Sequence, residues 1–356
     1  MSRLWLRVAL WLGGLALVAA AILVGLALAR QPSKINARPA GPDVTSRIVA
    51  PVPRTTVPPT GPSMPGHGAY VGAYVEPRLF TQDQDVAAVN RMQSRLGRKL
   101  AIVHTYSKWA ATFPTASQQA FLNSVSVLLL SWAGTDTRSI VSGRQDSVIK
   151  QKALAIKATG KPIFLEWRWE MNRPDFRAQL HSPHEYIAAW DHIRAVFAQE
   201  HVHNVAWVWC PSSKGFGEVG RYGDGASFYP GNKEVDWLCV DAYPVDSGPR
   251  TSFAQLLHPF LAWASHIHKP VMIGETGVPR SYGARQRAIW LQGASQVIRG
   301  DRQVKALVYF DGDPAGAPRG RQYALDAGSP PLHAFRTLAR EPYFNPVLPN
   351  KGKPSG

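Results

Sequence analysis

From His67 onward the chain alternates between two periodicities. Short runs of apolar, aromatic and β-branched residues recur, and apolar residues at helical spacing separate them. The strand-like runs are GAYVGAYVE (68–76), KLAIVHTYS (99–107), SVSVLLLSWAG (124–134), PIFLEWRWE (162–170), NVAWVWCPS (204–212), VDWLCVDAY (235–243), PVMIGETG (270–277) and VKALVYFDG (304–312). Their alternation with helices predicts a parallel sheet covered on both faces. Helix ends can also be read. Val86, Val89, Met92 and Leu96 share a face ahead of Gly97, a C-terminal stop. Ile149, Ala153 and Ile156 mark another helix, ending near Gly160. Ser182-Pro183-His184-Glu185 reads as a capping box with proline in the first turn, and Ile187, Trp190, Ile193 and Phe197 continue the stripe. Eight strands with helices between them predict an α/β fold, a (β/α)8 TIM barrel over residues 67–346. The alternative is a doubly wound open sheet. No glycine-rich phosphate loop follows the first strand, which counts against a nucleotide-binding version.

The ends of the chain break this pattern. From Ala9 to Ala29 there is no charge and almost no polar residue, enough for a helix to cross a bilayer. That is longer than the core of a secretory signal. Residues 1–30 are therefore expected to be a membrane anchor, an N-terminal transmembrane helix. With Arg3 and Arg7 inside, the rest of the chain would lie outside the cell. Ala27-Leu28-Ala29 resembles a cleavage site, so secretion after signal cleavage is the alternative. Residues 31–66 (with PVPRTTVPPTGPSMPG) are too poor in apolar side chains for a core and read as an extended linker. Residues 347–356 form a tail.

Composition adds one constraint. The net charge is +16 over 356 residues, but Lys and Arg are scattered rather than gathered in runs. That speaks against a nucleic-acid site and for a generally basic surface, tolerant of anionic lipid or acidic wall polymers. The two cysteines, Cys210 and Cys239, fall on neighbouring strands and read as small buried apolar residues, with a disulfide the less favoured alternative. Nothing has metal-ligand spacing and no Ser-centred elbow occurs, so neither metal nor cofactor is expected.

The chemistry-bearing residues sit where the predicted strands end. Glu170 closes the fourth run and Glu275 lies in the seventh, which puts both carboxylates at the C-terminal mouth of a barrel. Two carboxyl groups facing one cleft suit glycoside hydrolysis: one protonates the leaving oxygen and the other acts at the anomeric carbon. Strand alternation would point Arg168 and Glu166 inward with Glu170, as a buried ion pair. Asn172 is placed to bond a sugar hydroxyl. Tyr74, Trp132, Trp169, Trp209, Tyr243 and Phe310 collect at the same end, where aromatic faces suit the C–H faces of sugar rings. Most of the 12 tryptophans are expected in packing instead. His104 closes the second strand as either a hydrogen-bonding residue or a substrate contact. Asp241 and Asp311 close strands as supports or sugar contacts.

Four pieces, GAYVGAYVEP, WEMN, FYPGNKEVDWLCVDAYP and IGETG, together resemble glycoside hydrolase family 26, the β-mannanase family of the retaining (β/α)8 clan. The resemblance implies Glu170 as acid/base, Glu275 as nucleophile and Tyr243 as its hydrogen-bonding support. It also implies a polysaccharide substrate and retention through a glycosyl-enzyme on Glu275; a monomer is expected. Two departures fall at sugar subsites. Trp169 stands where the family has histidine, and Arg173-Pro174-Asp175-Phe176 replaces a glycine and an aromatic cluster. The expectation is a retaining endo-β-glycosidase acting on β-1,4-mannan, with β-1,3-xylan or mixed-linkage glucan as alternative substrates. The rival readings are a non-catalytic carbohydrate-binding barrel and an exopolysaccharide-assembly scaffold. Hydrolysis needs Glu170 protonated near neutral pH, and flanking Trp167 and Trp169 suit a neutral carboxyl there.

Overall fold

The computed structural model describes residues 61–217, 222–246 and 249–346. The apolar run at 9–29, most of the linker and the tail lie outside the described residues. Among the described residues no helix is long and apolar enough to cross a membrane.

Eight parallel strands close into a barrel in sequence order, β1 neighbouring both β2 and β8. They are β1 (Tyr70–Val75), β2 (Ile102–Ser107), β3 (Val127–Trp132), β4 (Ile163–Trp167), β5 (Val205–Trp209), β6 (Trp237–Ala242), β7 (Val271–Thr276) and β8 (Val304–Asp311). Every strand lies inside its predicted run. The open-sheet alternative is excluded by the β1–β8 pairing, which runs from Tyr70↔Ala306 to Val75↔Asp311. The helices are α1 (Gln82–Leu96), α2 (Ala116–Leu122), α3 (Thr137–Val141), α4 (Asp146–Thr159), α5 (Arg177–Leu180), α6 (Pro183–Gln199), α7 (Phe253–Ala264), α8 (Ala284–Gly300) and α9 (Pro330–Arg340).

Helix termini follow the chemistry read from the sequence. Gly97 takes φ 68° beyond α1 and Gly160 φ 59° beyond α4, left-handed turns that glycine adopts without a Cβ penalty. Ser182 caps α6 by accepting from Glu185 N–H at 3.2 Å. The return half of the expected capping box is diverted, because the Glu185 carboxylate pairs with Arg138 at 2.9 Å.

Two apolar layers result. Outward side chains of the strands pack against the helices, where Trp132, Trp167, Trp190 and Trp209 are fully buried. Inward side chains fill the barrel: Tyr70, Ile102, Leu129, Phe164, Val208, Trp237, Met272 and Val308. Above this floor the inward positions turn polar, with His104, Ser131, Glu166 and Asp241 all buried.

Candidate active site

Two local distortions aim the glutamates. On β7 the pairing with β6 skips a residue: Val240 faces Ile273, and Asp241 faces Glu275. Gly274 is the extra residue of this bulge. Without it, strict alternation would turn Glu275 outward with Ile273. Bulges re-aim side chains in this way at functional strand ends. On the other side β4 ends at Trp167, and both Arg168 and Glu170 take positive φ, 55° and 50°. The main chain still holds its neighbours, since Arg168 N–H donates to Trp132 C=O at 2.9 Å and Glu170 N–H to Cys210 C=O at 2.7 Å. Two left-handed non-glycine residues so close together are strained, and such strain concentrates at functional sites.

Glu275 is 7% exposed, and a phenol is directed at each of its oxygens. Tyr106 Oη donates to Oε1 at 2.5 Å, and Tyr243 Oη donates to Oε2 at 2.8 Å. Burial, and next the charge of Glu170, push the Glu275 carboxyl up to about 7, while the two phenols and Arg173 oppose that rise. Glu170 accepts from Arg173 Nη1 at 2.7 Å, and Arg173 Nη2 also binds Asp175 at 2.7 Å. The expected apolar setting for Glu170 is therefore only half present. Trp169 stays at the mouth, but Trp167 faces the helices, stacked on Tyr186 at 5.2 Å, and a guanidinium takes the place expected for it.

Around this pair the structure gathers Tyr74, Tyr106, Trp169, Tyr243, Phe310 and Tyr323. Tyr74 stacks on Phe310 at 4.7 Å, Tyr106 meets Trp169 at 5.3 Å, and Tyr243 meets Tyr323 at 4.8 Å between ring centroids. Tyr106, Arg173 and Tyr323 were not singled out as site residues in the sequence. Tyr106 carried a signal, because it lies two residues beyond His104 on the same strand face. Arg173 was visible only as a departure from the family pattern.

Other predicted site residues are placed elsewhere. Trp132 is fully buried, stacked on Trp109 at 4.4 Å with its Nε1–H on the Trp109 carbonyl. Trp209 is fully buried against Tyr229 and Trp263. Both point outward from their strands, so they are core and not sugar platforms. Asn172 is also buried: its Nδ2 donates to Ser212 C=O at 3.1 Å, and its Oδ1 accepts Ser212 N–H at 2.9 Å. It holds the loop after β5 instead of reaching a sugar. His104 lies beneath the aromatic ring, its Nε2 2.6 Å from Ser131 Oγ, and burial pushes its imidazole down to about 3, so it is neutral. Ser131 bonds Glu166 in turn. The predicted Glu166–Arg168 pair does not form. The positive φ at Arg168 swings its side chain away, onto Gln179 and over the Phe176 ring at 3.5 Å. Asp241 is buried near the C-terminal end of β6, in register with Glu275, and burial raises its carboxyl well above the usual range. Asp311 is a support, accepting Leu325 N–H at 2.6 Å.

The cysteines are joined as a Cys210–Cys239 disulfide, which corrects the reading of two free packing residues. Their strands are adjacent, and Cα atoms 4.3 Å apart bring the side chains together inside the barrel. With Glu166 and Asp241 they form a buried group whose ligand-type atoms lie within 4.8 Å of one another. The sulfurs are spent on each other, which leaves two carboxyls for any cation.

No protein-family model matches the chain. In sequence it is similar to Endoglucanase H of Acetivibrio thermocellus, 29% identical over 259 residues. The match covers 68% of this chain and 28% of that protein, so the chain spans little more than a quarter of its relative's length. In structure it is similar to GH26C from a Muricauda species, with TM-score 0.56 and 15% identity over 80% of this chain and 89% of the other. It is also similar to a β-mannanase from a symbiotic protist of the termite Reticulitermes speratus, solved with a gluco-manno-oligosaccharide. That match has TM-score 0.54 and 12% identity over 80% of this chain and 94% of the other. The chain thus shares the (β/α)8 barrel fold of these structures. Identities this low establish the shared fold.

Proposed function

We propose that the protein is a retaining endo-β-glycosidase that hydrolyses a β-1,4-linked glycan, with β-mannan the favoured substrate. The observation that carries this reading is the pair of carboxyls at the barrel mouth: Glu275 buried under two phenols and pushed up in part by the charge of Glu170, and Glu170 paired with Arg173. Glu275 attacks the anomeric carbon and forms a glycosyl-enzyme. Glu170 donates the proton to the departing oxygen, then takes a proton from the water that releases the product. Tyr106 and Tyr243 hold the Glu275 carboxylate in its charged form. Arg173 must leave Glu170 when substrate enters, for Glu170 to carry a proton to the glycosidic oxygen. Asp175 already binds the same guanidinium and is the group that would keep it. Tyr74, Trp169 and Phe310 offer the faces on which sugar rings would lie. The names of the relatives, an endoglucanase and β-mannanases, support the endo mode and the β-glycan class.

The rival reading of a non-catalytic sugar-binding barrel has less support, since it gives no use to two converging carboxylates. The protein is further proposed to act outside the cell, held by its N-terminal apolar run. The disulfide supports that placement, because such bonds persist in oxidising compartments.

A reducing-sugar assay on β-mannan, β-glucan and β-xylan polymers tests the reading. Activity is expected on the first or second, and NMR should show the β anomer formed first. Glu275→Ala should be inactive and rescued by azide as the α-glycosyl azide. Glu170→Ala should retain turnover of activated aryl glycosides. Failure of every polymer, or the α anomer appearing first, would reject the retaining glycosidase.

A further inference from the structure

The disulfide occupies a place that the chemistry above does not use. On the arc from β4 to β7, the strands between the two glutamates are β5 and β6. Their seam is weak: only Val208↔Trp237 and Trp209↔Leu238 pair within the strands, against six pairs between β2 and β3. Beyond those two pairs the seam is continued by the isolated bridge of Ser212 with Asp241. Cys210 and Cys239 close it covalently, directly after the last paired residues.

Each cysteine also touches one catalytic strand end. The Cys210 carbonyl accepts Glu170 N–H at 2.7 Å, so it sets the height of the strained turn that carries Glu170. On the other side, Gly274 lies over both sulfurs. A Cβ at Gly274 would stand 2.4 Å from Cys239 Sγ and 3.0 Å from Cys210 Sγ. Gly274 is the bulge residue that turns Glu275 inward. Asp241 completes the contact, its Oδ1 3.2 Å from Cys210 Sγ. A disulfide sulfur has no hydrogen to give, so a hydrogen bond at that distance runs from a protonated Asp241.

We infer that Cys210 and Cys239 are positioning residues: their bond fixes the Glu170 turn against the Glu275 bulge across a seam held by only two strand pairs. This rests on the reading of Glu170 and Glu275 as the catalytic pair. Neither sulfur meets substrate. A misplacement of about 1 Å can cost up to about 100-fold in rate, so loosening this link should lower kcat roughly tenfold and leave KM close to its original value.

The experiment compares wild type, Cys210→Ala/Cys239→Ala, Gly274→Ala and the triple variant. It uses active-site-titrated kcat and KM together with hydrogen exchange at the Glu170 amide. The double variant should lose kcat and expose the Glu170 amide, while amides of β3 stay protected. Gly274→Ala should do the same from the far side of the bond, by pushing on the sulfurs. In the triple variant, where the sulfurs are gone, adding the methyl at Gly274 should cost little more. Unchanged kcat and unchanged Glu170 protection in the folded double variant would overturn the inference. If that variant does not fold, Gly274→Ala still decides, because a protected Glu170 amide there would show that the bond transmits nothing. Amide exchange needs no turnover. A wild type that cleaves no glycan but shows these exchange effects would reject the proposed function and leave the positioning role standing.

Discussion

The two phenols on Glu275 give the sharpest test of how this site works. Tyr106 and Tyr243 each donate one hydrogen bond to a different carboxylate oxygen, at 2.5 and 2.8 Å. Both bonds favour the charged form, which the proposed mechanism needs for attack on the sugar. Burial and the charge of Glu170 already push the group up to about 7, so little margin remains. A hydrogen bond to a charged acceptor contributes about 1.5–3 kcal/mol, and one pKa unit corresponds to about 1.4 kcal/mol. Removing one phenolic hydroxyl should therefore raise the carboxyl by about one to two units. The sign follows directly. A higher value means that ionised Glu275 appears only at higher pH, so the acidic limb of kcat/KM moves upward.

Tyr243→Phe and Tyr106→Phe keep the rings and delete only the donors. The assay is the pH profile of kcat/KM on the best polymer or an aryl glycoside, which reports groups of the free enzyme. Both variants should shift the acidic limb in the same direction. The double variant should shift it by something other than the sum, because the bonds share one acceptor. Tyr323→Phe serves as a control, since its ring packs on Tyr243 while the two donors to Glu275 are Tyr106 and Tyr243. A folded Tyr243→Phe with an unmoved acidic limb would refute the argument that Glu275 ionisation governs the rate.

Three further outcomes are expected. Asn172→Ala removes the buried bonds that hold Ser212, and should lower unfolding free energy by about 2–4 kcal/mol in urea titration, with its main effect on stability. Asp311 is pushed by burial from 3.8 to about 7, so its folded value is raised. Its contribution to stability is present at low pH and lost as pH rises through about 4 to 7, by at most about 4 kcal/mol. Asp311→Asn should show a flatter melting temperature across that window, and an identical pH dependence would contradict the burial argument. Full-length protein should fractionate with membranes and a chain starting near residue 60 should be soluble; a mature N-terminus at Arg30 would instead show a cleaved signal.

The strands were legible because their apolar, β-branched runs are bounded by glycine, proline and polar loops, and all eight lie within the predicted spans. Glu275 was legible as a residue but not its direction, since period-two alternation does not reveal a bulge at Gly274. The same limit explains the failed Glu166–Arg168 pair: a positive φ at Arg168 cannot be read from a run that looks like strand. Trp132 and Trp209 were misplaced because an aromatic at a strand end can face either layer, and both face the helices. Asn172 sits in a loop, and its partner Ser212 lies forty residues away. The disulfide was underestimated for a related reason. The sequence places two cysteines on neighbouring strands, but only register decides whether their side chains meet.

These corrections point to one physical arrangement. The upper half of the barrel interior holds four carboxyls, and they differ in depth and in partners. Glu166 and Asp241 lie deepest, and burial drives both strongly toward the neutral acid. His104 beside them is neutral as well, held down by the same burial. A charged floor would cost several kcal/mol per ion and would repel a carboxylate above it. A neutral floor leaves the charge at the mouth to Glu170 and Glu275, and there the chain supplies donors: two phenols for one and a guanidinium for the other. Depth thus keeps two carboxyls as scaffold and leaves two at the mouth, where the proposed mechanism uses Glu170 for proton transfer and Glu275 as nucleophile. The sequence sets Glu170 and Glu275 apart by their strand ends, but not by the partners and burial that separate them from Glu166 and Asp241. That separation comes from the barrel, through the bulge that turns Glu275 inward and the strained turn that presents Glu170.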